Sequence, residues 1–293
     1  MIQIKNNKLD NTIDKHYTKI LNYINQDDTH FNIDDINCDL VCLYDKDLEQ
    51  IIKLKQSEMI LLIKKDIEIY PSLATQLNKL YEVFRNKWAT SFVQELDITV
   101  CPYCNREYIF KFEDTKKNKP RVISTFDHYY SKSTYPFLSI SFFNLIPCCH
   151  ICNSKFKHKE NFYEKVHLHP YEDDFNTLVK FKLNITNSNF CHSVSGFDIE
   201  LSTTNKKATN NISTFRLYDL YQNHKDIALE LIQKRVIYPD SYIDELAHNY
   251  SGLFGSRADL LRLITCGYIE DKDLGKRPLS KLIKDIAQEI KLI

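Results

Sequence analysis

Glycine and proline are both scarce in this chain, 5 and 8 of 293 residues, which argues against long flexible or proline-rich linkers. No apolar run approaches the ~20 residues that a membrane-spanning helix needs. The first residues, Met1-Ile-Gln-Ile-Lys-Asn-Asn-Lys8, lack the apolar centre of a signal peptide. A cytoplasmic protein with no membrane partner is the expectation. Internal repeats and low-complexity tracts are absent from the sequence. Net charge is also missing, since 39 Lys+Arg face 39 Asp+Glu.

Apolar residues make up 43% and aromatics 12%, a globular composition long enough for two or three cores or one elaborated core. The charge is unevenly spread. Residues 1–100 hold 12 basic against 16 acidic side chains, residues 101–170 hold 11 against 6, and residues 171–293 hold 16 against 17. The basic stretch suits a polyanionic partner such as nucleic acid, although an excess of five decides nothing alone.

Nine cysteines in a reducing compartment point to metal rather than disulfides when their spacing is paired. Cys101-Pro-Tyr-Cys104 and Cys149-His-Ile-Cys152 are two Cys-x-x-Cys knuckles, each able to bring two thiolates to one tetrahedral Zn²⁺. The 44 residues between them exceed a simple ribbon gap, so a folded unit must join the knuckles. Cys148 is a spare thiol. Cys38 and Cys42 have no second pair nearby and read as small buried apolar residues.

Along the chain, residues 1–70 read as short helices. Leu73, Leu77, Leu80, Tyr81, Phe84, Trp88, Phe92 and Leu96 mark one helix face over 72–96. Tyr108–Phe112 and Arg121–Phe126 read as strands around a charged tip, and Asn153 onward as a basic helix. Residues 180–186 and 196–202 alternate as a hairpin. Helices follow over 217–235, 241–250 and 257–266, and after Pro278. The expectation is an α+β protein of three stretches: helical 1–96, a zinc-stapled core at 97–175, and a hairpin with helices at 176–293.

Asp127-His128 lies between the knuckles, and Asn153 follows the last cysteine. Phosphodiester cleavage needs a base near neutral pKa and a charge-stabilising cation. A histidine serves the first need, and a carboxylate with an amide oxygen can hold a hard divalent ion for the second. Adjacent strand side chains point to opposite faces, so the dyad must sit at a strand end or bend. Lys132, Lys155 and Lys157 could meet phosphates. Tyr129, Tyr130 and Tyr135 read as packing residues, and His167 and His169 as turn residues.

The run Asp127-His128-Tyr-Tyr-Ser-Lys132, Tyr135-Pro, Asn144-Leu-Ile-Pro-Cys-Cys149-His-Ile-Cys152-Asn153 resembles the HNH endonucleases of the ββα-metal fold, over about a fifth of the chain. The resemblance implies that His128 is the general base and that Asp127 and Asn153 hold Mg²⁺ or Mn²⁺. It implies too that Asn144 holds the loop carrying the base. The last family position is often His, and His150 and His158 stand nearby as alternatives to Asn153. Cys101-Pro-Tyr-Cys-Asn-Arg, His169-Pro-Tyr and Lys276-Arg-Pro-Leu-Ser-Lys281 are similar to larger bacterial HNH proteins, some of them Septu-type or retron-linked antiphage effectors working with an SMC-like ATPase. DNA is then the expected substrate, with RNA such as tRNA also open. The alternatives are a zinc-dependent nucleic-acid or protein-binding module without catalysis, and a nuclease silent without its ATPase partner.

Overall fold

Polar caps and apolar stripes set the helices that precede the cysteines. The computed structural model describes residues 2–5, 7–27, 29–114 and 119–293, with backbone only at Lys111, Glu113, Lys119 and Pro120. The middle of the expected charged tip, residues 115–118, lies outside the described residues. Helix α1, Leu9–Ile24, buries Ile13, His16, Ile20 and Ile24. Helix α2, Ile33–Tyr44, starts where the Asn32 side chain accepts the Asp34 and Asp35 amides, satisfying two of the first-turn donors. It buries Ile36, Leu40 and Tyr44. Cys38 and Cys42 fall on its other face and are exposed, so they are not the buried residues expected from their type. Helix α3, Leu48–Lys53, carries an Asp47–Gln50 capping box, and α4 spans Gln56–Ile63.

The stripe over 72–96 forms two helices rather than one: α5, Pro71–Lys87, and α6, Ala89–Glu95. Pro71 opens α5, where a missing N–H costs nothing. Trp88 leaves the helical backbone at φ −127°. In one straight helix Phe84 and Phe92 would stand about 12 Å apart along the axis. The break brings their rings to 5.3 Å, and both then reach Phe126, at 5.1 and 5.7 Å. Each such fully buried aromatic contributes roughly 1.5–3 kcal/mol.

Strands β1, Lys111–Asp114, and β2, Lys119–Val122, pair antiparallel. Strand β3, Thr125–His128, pairs antiparallel with β4, Leu145–Cys148, setting His128 opposite Leu145 and Asp127 opposite Ile146. Two 3₁₀ turns, Pro136–Leu138 and Phe142–Asn144, fill the connection. A π-type helix, Ile151–Lys157, follows β4; its i→i+5 bond runs from the His158 amide to the Asn153 carbonyl at 2.9 Å. These elements cluster as one unit, Ile4–Ile98 with Ile109–Glu172.

The second unit gathers Met1–Gln3, Thr99–Tyr108 and Asp173–Ile293. It contains α7, Phe175–Leu178, and the hairpin of β5, Lys180–Ile185, with β6, Phe197–Ser202. Helices α8, Lys206–Thr214, α9, Leu217–Gln222, α10, Lys225–Ile237, α11, Asp240–Asn249, α12, Arg257–Thr265, and α13, Ser280–Glu289, complete it. In α13, Lys281 and Asp285 form a fully buried ion pair, and Asp285 also accepts the Phe181 amide at 2.9 Å. The three stretches read from sequence are thus distributed over two units. The mixed α+β class is what the structure has, with helix well in excess of strand. Among the described residues no helix is long and apolar enough to cross a membrane.

His16 shows what the core of the first unit demands. Its ring lies edge-on to Phe84, Phe92 and Phe142, and Nε2 donates to the Ile140 carbonyl at 3.0 Å. Burial pushes its pKa down to about 4. The unfolded chain protonates this group from about pH 6.5 downward, the folded chain only near 4, so stability is lost across that window as pH falls. His16 should cost about 2 kcal/mol by pH 5. Urea unfolding of wild type and His16→Gln at pH 7 and 5 checks this; equal pH losses in the two proteins would refute it.

Candidate functional site

The first knuckle is a tight turn built on its own backbone. The Asn105 amide donates to the Cys101 carbonyl at 2.8 Å, the Cys101 amide to Glu107 at 2.9 Å, and the Arg106 amide to Cys104 Sγ at 3.4 Å. Asn105 adopts a left-handed φ of 52°, a conformation that asparagine tolerates better than most residues. Its side chain donates to the Leu274 carbonyl at 2.9 Å and accepts the Lys281 amide at 3.1 Å. Tyr221 Oη donates to the Cys104 carbonyl at 2.7 Å. The sequence reading missed Asn105; its signal was an asparagine directly after the knuckle. In the second knuckle the Cys152 amide donates to Cys149 Sγ at 3.4 Å.

Cys101, Cys104, Cys149 and Cys152 are all buried, and their Sγ atoms lie within 4.8 Å of one another. A tetrahedral zinc with ~2.3 Å bonds sets its sulfurs about 3.8 Å apart, a spacing inside the 4.8 Å that bounds these four atoms. This cluster could hold a metal such as zinc. Cys148 stays outside it at the end of β4, beside Thr125 Oγ1. Burial raises the Cys148 thiol well above its usual range, so it remains a protonated thiol.

Strand β3 ends at His128, and the loop beyond it is clamped by Asn144. That side chain is fully buried. Its Oδ1 accepts the Tyr130 amide at 2.7 Å, and Nδ2 donates to the Tyr130 and Leu138 carbonyls at 3.0 and 2.9 Å. All three bonds are lost in Asn144→Ala, leaving buried backbone groups unpaired. The expected destabilisation is about 2–4 kcal/mol. A change below about 0.5 kcal/mol on urea unfolding, the range of an ordinary surface substitution, would show that the clamp is unimportant.

His128 Nε2 lies 2.9 Å from the Ser139 carbonyl. A carbonyl can only accept, so in the neutral ring Nε2 carries the proton and Nδ1 the lone pair. The ring also packs edge-on to Tyr81 at 4.4 Å. Burial lowers its pKa to about 3, with Lys132, Lys157 and Arg85 adding to the effect. The imidazole is therefore neutral at physiological pH, and a weaker base than the near-neutral one expected from the sequence, because burial desolvates its charged form.

Asp127, His128, Asn153, Lys132, Lys157 and His158 line one cleft of about 450 Å³. Asn144 sits behind it. Lys155 is exposed and outside the lining, as is His150, whose Nδ1 lies 3.2 Å from Ser154 Oγ. Asn153 Nδ2 donates to the Phe126 carbonyl at 3.3 Å, which leaves Oδ1 as its ligand-competent atom. Lys157, read from the sequence as a phosphate contact, is buried; its ammonium donates instead to Asp127 Oδ1 at 2.6 Å and to the His128 carbonyl. Lys132 is half-buried, 4.7 Å from the Tyr81 ring centroid, and burial lowers its pKa.

No family model, curated protein or solved structure matches this chain.

The aromatic and histidine residues near the cleft are packing groups. Tyr129 and Tyr130 are buried, and Tyr129 Oη donates to the His167 carbonyl at 2.8 Å. His167 and His169, read from the sequence as turn residues, are both fully buried, His167 stacked on Phe162 at 3.7 Å.

Proposed function

We propose that this protein is a metal-dependent endonuclease of the HNH type, hydrolysing phosphodiester bonds, with DNA favoured over RNA. The observation that carries the reading is the pinned tautomer of His128. Its proton is held on Nε2 by Ser139, leaving Nδ1 as a base in a cleft shared with a carboxylate and an amide oxygen.

Asp127 and Asn153 offer the oxygen donors that Mg²⁺ or Mn²⁺ prefers, so the residues fit such an ion in type. When bound, it would supply Lewis-acid stabilisation of the scissile phosphate and leaving oxygen. The rest of the chemistry belongs to the chain. His128 Nδ1 takes a proton from the attacking water. Ser139 and the Asn144 clamp keep the imidazole from rotating away. Lys157 balances the Asp127 charge and, through the His128 carbonyl, ties the end of β3 to the π-type helix. Cys101, Cys104, Cys149 and Cys152 hold structural zinc. Where a partner ATPase regulates this site, its contribution would be to deliver or expose the substrate.

The test is cleavage of supercoiled plasmid, single-stranded DNA and bulk tRNA by the zinc-loaded protein with Mg²⁺, Mn²⁺ or neither. Metal-dependent cleavage of at least one substrate is the expected result. A binding module would retain the nucleic acid uncut under every condition, and that outcome would replace this reading.

A further inference from the structure

A second cleft, of about 470 Å³, opens beside the first within the same unit. Arg85 and Lys87 from the last turn of α5, Thr90 and Gln94 from α6, Arg121 from β2 and Ser124 line it. Among the described residues the lining holds three cations and no carboxylate. Phe126 lines both clefts, so the basic groove runs up to the strand that carries Asp127 and His128. Arg85 is near enough to add its field to that at His128 and Lys132.

Two details single this groove out from an ordinary basic surface. Among the described residues Ser124 Oγ is buried and finds no hydrogen-bond partner, although a buried hydroxyl normally has one. The cations also remain available. Arg121 meets Asp114 only at 3.4 Å while half its side chain stays exposed, and Lys87 rests 4.5 Å from the Tyr23 ring centroid. An exposed pair of that kind is readily exchanged for a phosphate.

We infer that this groove is a phosphate-binding track for the nucleic-acid strand entering the cleft at His128, with Arg85, Lys87 and Arg121 on successive backbone phosphates and Ser124 donating to one of them. Polar Thr90 and Gln94 add donors without selecting a base, so the track positions the strand and reads no sequence. The inference deepens the nuclease reading and rests on it for the identity of the polyanion.

The test is binding of fluorescein-labelled DNA, duplex and single-stranded, by anisotropy from about 50 to 200 mM salt without added divalent ion, with the cleavage-impaired His128→Ala protein as parent. Arg85→Ala/Lys87→Ala/Arg121→Ala in that background should lower the salt slope by about 2–3 and weaken binding at least tenfold, without change in zinc content. Arg85→Lys/Arg121→Lys should keep the slope, because the charge is retained. An unchanged slope in the triple variant overturns the track, as does a parent that binds no DNA. Binding without chemistry is measured throughout, so a wild type that never cleaves would sink the nuclease reading alone.

Discussion

Cys152→Ala should lose its bound zinc and with it the fold around β4 and the π-type helix. A structural zinc site of four thiolates contributes ~10–16 kcal/mol of apparent binding free energy, more than the ~5–15 kcal/mol net stability of a typical domain. The expected result is less than one zinc per chain by metal analysis, a collapsed urea midpoint and aggregation. Cys101→Ala should behave in the same way. Cys148→Ala is the informative neighbour. Its sulfur lies outside the cluster and burial holds it as a thiol, so that variant should keep a full equivalent of zinc. A well-folded, zinc-replete Cys152→Ala protein would refute the four-thiolate site.

His128→Ala should reduce cleavage by roughly 10²–10⁴-fold, the usual contribution of a positioned general base. The loss should fall on kcat, since the imidazole acts on water and not on substrate affinity. Zinc content and the urea midpoint should move little by comparison, because the β3–β4 register and the Asn144 clamp do not use the side chain. Metal analysis and urea unfolding separate this variant from Cys152→Ala, which loses activity by losing its fold. Cleavage at the wild-type rate would remove His128 from the reaction.

Local signals in the sequence carried far. Equal Cys-x-x-Cys spacing marked the four buried sulfurs, the leucine and aromatic stripe marked α5 and α6, and alternation marked the β5–β6 hairpin within a residue or so. What escaped was set by packing at a distance. Nothing local distinguishes Lys157 from Lys155 or Lys159, and only the fold brings Lys157 onto Asp127. The break at Trp88 serves Phe92's contacts with Phe84 and Phe126, which lie in other elements or across the break. Helix type misled at Cys38 and Cys42, where Ile36, Leu40 and Tyr44 had already claimed the buried face of α2. Asn105 looked like the residue after a knuckle, and its bonds to Leu274 and Lys281 span most of the chain.

The proposed chemistry places a neutral imidazole, a carboxylate and an amide oxygen in one cleft for a single purpose. The most direct measurement is therefore plasmid cleavage by zinc-replete wild type and zinc-replete His128→Ala, side by side, with Mg²⁺ present and then withheld. Cleavage that requires both the ion and His128 is the result this account predicts. Cleavage at the wild-type rate in His128→Ala, or without added divalent ion, would contradict it.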